Sequence, residues 1–162
     1  MRTKIMVLLS VVVLAILNYS IYEKEQIKDH GKTLLLELAP VDPRSLMQGD
    51  YMRLRYVLEQ KVPTKTLAVH QKRGYIVIRP DAEAVAHFVR FHRGEDLAAD
   101  ETLIHFHRRY RGIQIVPNSF FFQEGHAKYY EMAKYGVFKV DKAGQYLLVG
   151  LADQNKQRLS PL

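Results

Sequence analysis

Three rhythms of hydrophobic and polar residues follow one another along the chain. Residues 5–21 are apolar except for Ser10, Asn18 and Ser20, with Arg2 and Lys4 ahead of them and Tyr19 and Tyr22 at the far end. That length is about the lower limit for a helix crossing a bilayer, whose hydrocarbon core is roughly 30 Å thick, and the tyrosines fit an interfacial belt. A cleaved signal peptide would need a small-x-small pattern after the run, and Asn18-Tyr19-Ser20-Ile21-Tyr22 lacks one. The segment therefore reads as an uncleaved anchor, with Arg2 and Lys4 holding the N-terminus in the cytosol. Residues 23–30 are charged and contain no helix breaker, which predicts a helical stalk ending at Gly31.

Beyond the stalk the period shortens to two. Residues 33–39 predict a first strand, whose Leu34-Leu35-Leu36 run implies burial on both faces. From Asp50 to Tyr56, Met52, Leu54 and Tyr56 fall on one face and Tyr51, Arg53 and Arg55 on the other. Lys61-Val62-Pro63-Thr64-Lys65 reads as a polar loop. Further strands are expected at residues 74–79, 85–91, 102–111, 113–116, 137–140 and 146–151, separated by segments with turn chemistry such as Pro80-Asp81, Arg93-Gly94-Glu95-Asp96 and Asp141-Lys142-Ala143-Gly144. The two strands flanking Gly112 read as a hairpin. Residues 124–135 carry Ala127, Tyr130, Met132, Ala133 and Lys134 at helical spacing, with Asn118 or Ser119 as an early cap and Gly136 as the stop. The fold class is thus mainly β (α+β): an N-terminal transmembrane helix, then a compact antiparallel β-rich domain with one helix near residues 124–135. The domain limits are 1–22 for the anchor, 23–32 for the stalk, 33–152 for the head and 153–162 for a loose polar tail.

One stretch stands out. Pro40 and Pro43 keep the backbone extended around Asp42, Gly49 offers a turn position, and Asp50 is placed to accept backbone hydrogen bonds where the alternating strand opens. Gly49-Asp50-Tyr51-Met52-Arg53-Leu54-Arg55-Tyr56 reads letter for letter as the octet that names the GDYXXLXY family, and the chain resembles that family. The lead-in Asp42-Pro43-Arg44-Ser45-Leu46 is similar to the family's, as are Glu124, Gly125 and Glu131 with the strands that follow, although Gln123 stands where the family often has Pro. The resemblance spans roughly residues 34–151. It implies a small domain on a single membrane anchor, of unknown biochemical function, often associated with multi-pass membrane proteins. It supplies no catalytic residues.

Composition sharpens this only slightly. The 162 residues suit one domain plus an anchor. Lys and Arg number 24 against 17 Asp and Glu, a net charge of +7 that favours anionic membrane surfaces or acidic partners. Cysteine is absent, which excludes disulfides and thiolate chemistry.

Four constellations carry candidate chemistry. Asp42, Arg44, Asp50, Glu124 and Glu131, tied together by the resemblance, could run acid–base chemistry if they converge; the preferred reading makes Asp42 and Asp50 braces of a tight loop, with Arg44 paired to a carboxylate. Ser45 with Lys65 or Lys72 would make a nucleophilic dyad, but the Ser-Met-x-Pro pattern of the peptidases that use one is missing. His105 and His107 share a strand face at a spacing that suits a metal, while His87 and His92 point to opposite faces, and Arg109 and Arg111 oppose a cation there. Finally, Arg53, Arg55, Arg90, Arg109 and Arg111 recur across successive strands and could form a patch for anionic headgroups.

The reading is a single-pass bacterial inner-membrane protein whose periplasmic head is a binding or accessory domain, lodged in membrane lipid through its helix and partnered with a multi-pass membrane protein. No catalysis, cofactor, metal or nucleic acid is expected. The alternatives are a hydrolase using Ser45 or the Asp50 and Glu124 carboxylates, and a binder of anionic lipid or other envelope polyanions. A weak hint of helix–helix contact comes from Ser10 and Asn18 within the anchor.

Overall fold

The computed structural model of the protein describes residues 2–39, 47–48, 51–63, 72–109 and 112–161. Helix α1 (Arg2–His30) runs unbroken through the apolar run and the charged stalk. It is long and apolar enough to cross a membrane, and none of its apolar window is buried inside the protein. Ser10 Oγ donates to the Met6 carbonyl at 3.0 Å and Asn18 Nδ2 to that of Leu14 at 2.8 Å, so both polar groups bond back to their own helix.

The head is built from antiparallel pairs. Strands β1 (Lys32–Glu37), β9 (Tyr135–Val140), β10 (Tyr146–Ala152) and β11 (Arg158–Leu159) form one sheet in that order. A second sheet runs β5 (Ala86–Phe91), β4 (Arg73–Pro80), β6 (Thr102–Arg109), β7 (Gly112–Gln114). A smaller one sets β3 (Tyr51–Arg53) between β2 (Met47–Gln48) and β8 (Ser119–Phe121). Strand β1 ties the three together: Leu35 N–H donates to the Ala84 carbonyl at 2.8 Å, and at the other end Ala39 N–H donates to that of Arg55 at 2.8 Å. The sheets curl around one core in which Leu34, Leu36, Ile76, Ile78, Phe106 and Phe138 are fully buried. Leu35 is also buried, as its apolar run implied.

The turns follow their chemistry. Asp81 Oδ1 accepts the N–H groups of Glu83 and Val85, each at 2.9 Å, and so folds the β4–β5 corner. Asp141 Oδ1 accepts Gln145 N–H at 2.8 Å, and Gly144 takes a left-handed φ of 79° in the β9–β10 hairpin.

Four expectations need revision. The alternation of residues 50–57 holds from Met52 to Tyr56, but Val57–Lys61 then forms a short helix, α2, with Leu58 buried, so the expected polar loop begins later and contains a buried Val62. Asn118 and Ser119 cap no helix; Ser119 opens β8. The helix near residues 124–135 is present as a single turn, α3 (Ala127–Tyr130). It is short because Gly125 adopts φ 79°, outside helical space, and because Tyr135 and Gly136 are drawn into β9 between β1 and β10. Nor is the tail loose: a turn held by Asp153 Oδ1 returns it as β11 beside β10, where Arg158 bonds the Val149 carbonyl and Lys156 pairs with Glu83.

Candidate functional site: a braced corner and an anchor-side cleft

The signature strand enters the core through Tyr56. Tyr51, Met52 and Arg53 pair with Phe121, Phe120 and Ser119 of β8, and Leu54 N–H extends the ladder to the Asn118 carbonyl at 2.8 Å. Pairing then stops, and the chain turns into α2 with Tyr56 fully buried. The Tyr56 hydroxyl donates to the Pro117 carbonyl at 2.7 Å, and its ring packs edge-on against Phe138 with centroids 5.6 Å apart. Glu59, in the first turn of α2, accepts Ile115 N–H at 2.7 Å on one carboxylate oxygen and Tyr56 N–H at 3.4 Å on the other. Tyr146 completes the set, donating to the His105 carbonyl at 2.7 Å while accepting Val116 N–H at 3.3 Å.

These groups sew the 115–117 segment to all three sheets. Burial drives the Tyr56 hydroxyl far above its ordinary pKa and pushes Tyr146 up to about 12. Burial also raises the Glu59 carboxyl, against the opposing pull of its two backbone N–H donors and of Arg55. Two hydroxyls locked in the neutral form and bonded to main-chain groups make a brace.

Of the remaining signature positions, those among the described residues are dispersed. Asp42, Pro43, Arg44, Gly49 and Asp50 lie outside the described residues, as do Ser45, Lys65 and Arg111. Leu54 is buried beside Tyr56, and the Tyr51 ring lies 5.7 Å from that of Phe121. Glu124 and Glu131 are exposed on either side of α3, with Gly125 shaping the turn before it.

The basic and histidine candidates divide similarly. Arg53 and Arg55 are exposed, and Arg109 donates to Gln114 Oε1 at 2.8 Å. Arg90 is held inside a carboxylate cluster, 2.9 Å from Glu95 and 2.6 Å from Glu101, while Arg79 reaches Asp100 at 2.8 Å. The bond from Arg90, with Ala98 N–H, holds the Glu101 carboxyl down at about 2. His105 lies edge-on to Tyr75 and His107, and burial lowers its pKa with help from His107 and Arg73. His87 pairs with Asp81 at 3.0 Å. Among the described residues no three His, Asp or Glu side chains are grouped to hold a metal ion.

A sizeable opening lies elsewhere among the described residues. A cleft of about 760 Å³ separates the end of α1 from the head. Tyr19, Tyr22, Glu23 and His30 form its helix wall, residues 97–103 a second wall, and the β9–β10 hairpin with Asp141, Lys142 and Gln145 a third. Its floor includes Ile27 and Val140, both buried. Its volume falls within the roughly 300–1,000 Å³ of small-molecule sites. Sequence reasoning missed it because its walls come from three distant segments. The one signal was Glu101, an acidic residue at the start of a strand, and its role appears only once Arg90 and Arg79 reach it from β5 and β4.

Comparison with known proteins rests on the family level. No curated protein and no solved structure matches the chain. The GDYXXLXY protein family matches residues 13–151, from within α1 to the end of β10, and the chain belongs to that family.

Proposed function

We propose that the protein is a single-pass membrane protein whose head lies outside the cytosol and serves as a binding or accessory subunit of a multi-pass membrane partner, in the inner membrane of a bacterium. The observation that carries this reading is the way α1 meets the head. From Ile5 to Ile21 twelve large aliphatic and methionine side chains of the helix are exposed. At about 1.5 kcal/mol or more for each one left in water, they outweigh the whole stability of an ordinary domain, about 5–15 kcal/mol, so lipid is their natural surrounding.

The same helix then enters the head without a linker. Gly31 N–H closes on the Ile27 carbonyl at 2.9 Å, Lys139 Nζ donates to the Gly31 carbonyl at 3.1 Å, and Ile27 is 4% exposed. A head fixed to its anchor presents one constant surface to a neighbour in the same bilayer, which suits a subunit better than a freely swivelling tether would. Arg2 and Lys4 favour a cytosolic N-terminus. Because Ser10 and Asn18 bond back to their own helix, the case for a partner rests on the head and not on polar contacts inside the bilayer.

Purification of the full chain in mild detergent tests the reading. A stoichiometric multi-pass protein should accompany it, and protease added to intact spheroplasts should digest the head. A lone monomer, or a head protected in spheroplasts and digested only after lysis, would overturn it.

A further inference from the structure

We infer that the cleft between α1 and the head binds the headgroup of a zwitterionic glycerophospholipid, one bearing a phosphate and an ammonium, from the bilayer around the anchor. The inference rests on the anchoring half of the function proposed above and is independent of any partner.

Three observations converge on it. The first is height. Tyr19 and Tyr22 line the cleft, and tyrosines that end an apolar helix settle at the level of the headgroups. The opening therefore faces the phosphate and glycerol layer, with the exposed apolar face of α1 below it as a track for acyl chains.

The second is the lining. The lining is mixed: Ile27 and Val140, 4% and 2% exposed, and Leu97, Ala99 and Leu103 are apolar, while Glu23, Lys32, Asp141 and Lys142 bring charge. Apolar and charged groups side by side in one cleft match an amphiphile, in which glycerol esters adjoin a charged head.

The third is charge, and it selects the class of lipid. Glu101 lines the cleft with its carboxylate held by Arg90 at 2.6 Å and Arg79 at 3.4 Å, but those two arginines also pair with Glu95 and Asp100, so the cluster behind that wall lends the opening no positive charge. Setting His30 aside, two cations, Lys32 and Lys142, then share the lining with two carboxylates, Glu23 on the helix wall and Asp141 beside Lys142 on the hairpin wall. A monoanionic headgroup would bring net negative charge beside two carboxylates. A zwitterion instead offers its phosphate to the lysines and its ammonium, rich in hydrogen-bond donors, to Glu23 and Asp141. This site differs from the arginines that recur across successive strands, of which Arg90 is paired with Glu95 and Glu101.

The test uses the full-length chain in nanodiscs of equimolar phosphatidylethanolamine and phosphatidylglycerol, with retained lipid read by native mass spectrometry after a delipidating wash. One phosphatidylethanolamine per chain should survive washing that strips phosphatidylglycerol. Charge reversal at either wall, Lys142→Glu or Glu23→Lys, should lower that retention about tenfold, equivalent to about 1.4 kcal/mol, while an unchanged melting temperature shows the head intact. Equal retention of the two lipids, or retention indifferent to both reversals, would overturn the inference. Alkaline carbonate washing of membranes separates the two levels: a chain that washes off refutes the anchor itself, and one that stays embedded without lipid selectivity refutes the cleft alone.

Discussion

Removing the hydroxyl of Tyr56 tests whether the octet's last tyrosine is architecture. In Tyr56→Phe the ring keeps its edge-on contact with Phe138, centroids 5.6 Å apart, and only the 2.7 Å bond to the Pro117 carbonyl disappears. A net neutral hydrogen bond contributes about 0.5–1.5 kcal/mol, and abandoning a buried acceptor costs about 1–3. Pro117 is half-exposed, so water can partly replace the donor and the expected loss is about 1–2 kcal/mol. For a head of this size that lowers the melting temperature by roughly 3–10 °C. Tyr56→Ala removes the ring as well and should cost about 3–5 kcal/mol, a large share of a typical domain's stability. The chain contains no tryptophan, so far-ultraviolet circular dichroism of the full-length protein in detergent, followed against temperature, is the appropriate readout. A Tyr56→Phe variant that melts within a degree or so of the wild type would refute the brace. If that variant also lost its copurifying partner, the hydroxyl would be a recognition group instead.

The same burial fixes an alkaline limit. Tyr146 titrates at about 12 and Tyr56 higher still in the folded chain, whereas both release their protons near pH 10 once unfolded, so stability should be full below about pH 10 and fall as pH rises through 12. All ten tyrosines ionising together near pH 10 with the dichroism unchanged would contradict this. At the acid end Glu101, held down at about 2 from an ordinary 4.5, contributes stability above pH 4.5 that is lost toward pH 2. Glu101→Gln should flatten that part of the profile of melting temperature against pH, and a profile unchanged in shape would show the cluster to be idle. At the junction, a Cβ on Gly31 would meet the Ile27 carbonyl oxygen and come within 3.1 Å of Val140 N. Gly31→Val should therefore loosen the helix from the head and speed proteolytic cleavage between them, at a cost of about 1–3 kcal/mol; an unaltered cleavage rate would show the contact to be slack.

Most of the sheet was legible because strands write themselves in period two and end at residues with turn chemistry. Met52, Leu54 and Tyr56 are buried and Arg53 and Arg55 exposed, as the alternation required. The errors came where long-range contacts overrode local pattern. Five residues of α2 are too few to show helical periodicity, and that turn is secured by Glu59 reaching Ile115 from far along the chain and by the burial of Leu58. Strand β8 follows Pro117-Asn118, which locally reads as a stop, and exists because β3 offers it an edge. The stretch 124–135 carries helical spacing, yet its last residue, Tyr135, already opens β9 between β1 and β10. The brace was half visible: alternation buried Tyr56, but nothing local connects it to Pro117 or Tyr146. The cleft left no trace beyond Glu101, since no single segment contains more than one of its walls.

Gly31 is the one residue between α1 and β1, so rod and head must turn as one body. A rod of 29 residues extends roughly 44 Å. In the membrane-anchored arrangement proposed above, a thinner bilayer that makes the rod lean by about 20° displaces a point one rod-length away by about 15 Å. Under that arrangement the thickness of the surrounding lipid becomes a sideways position of whatever surface the head displays, with no hinge or moving part required.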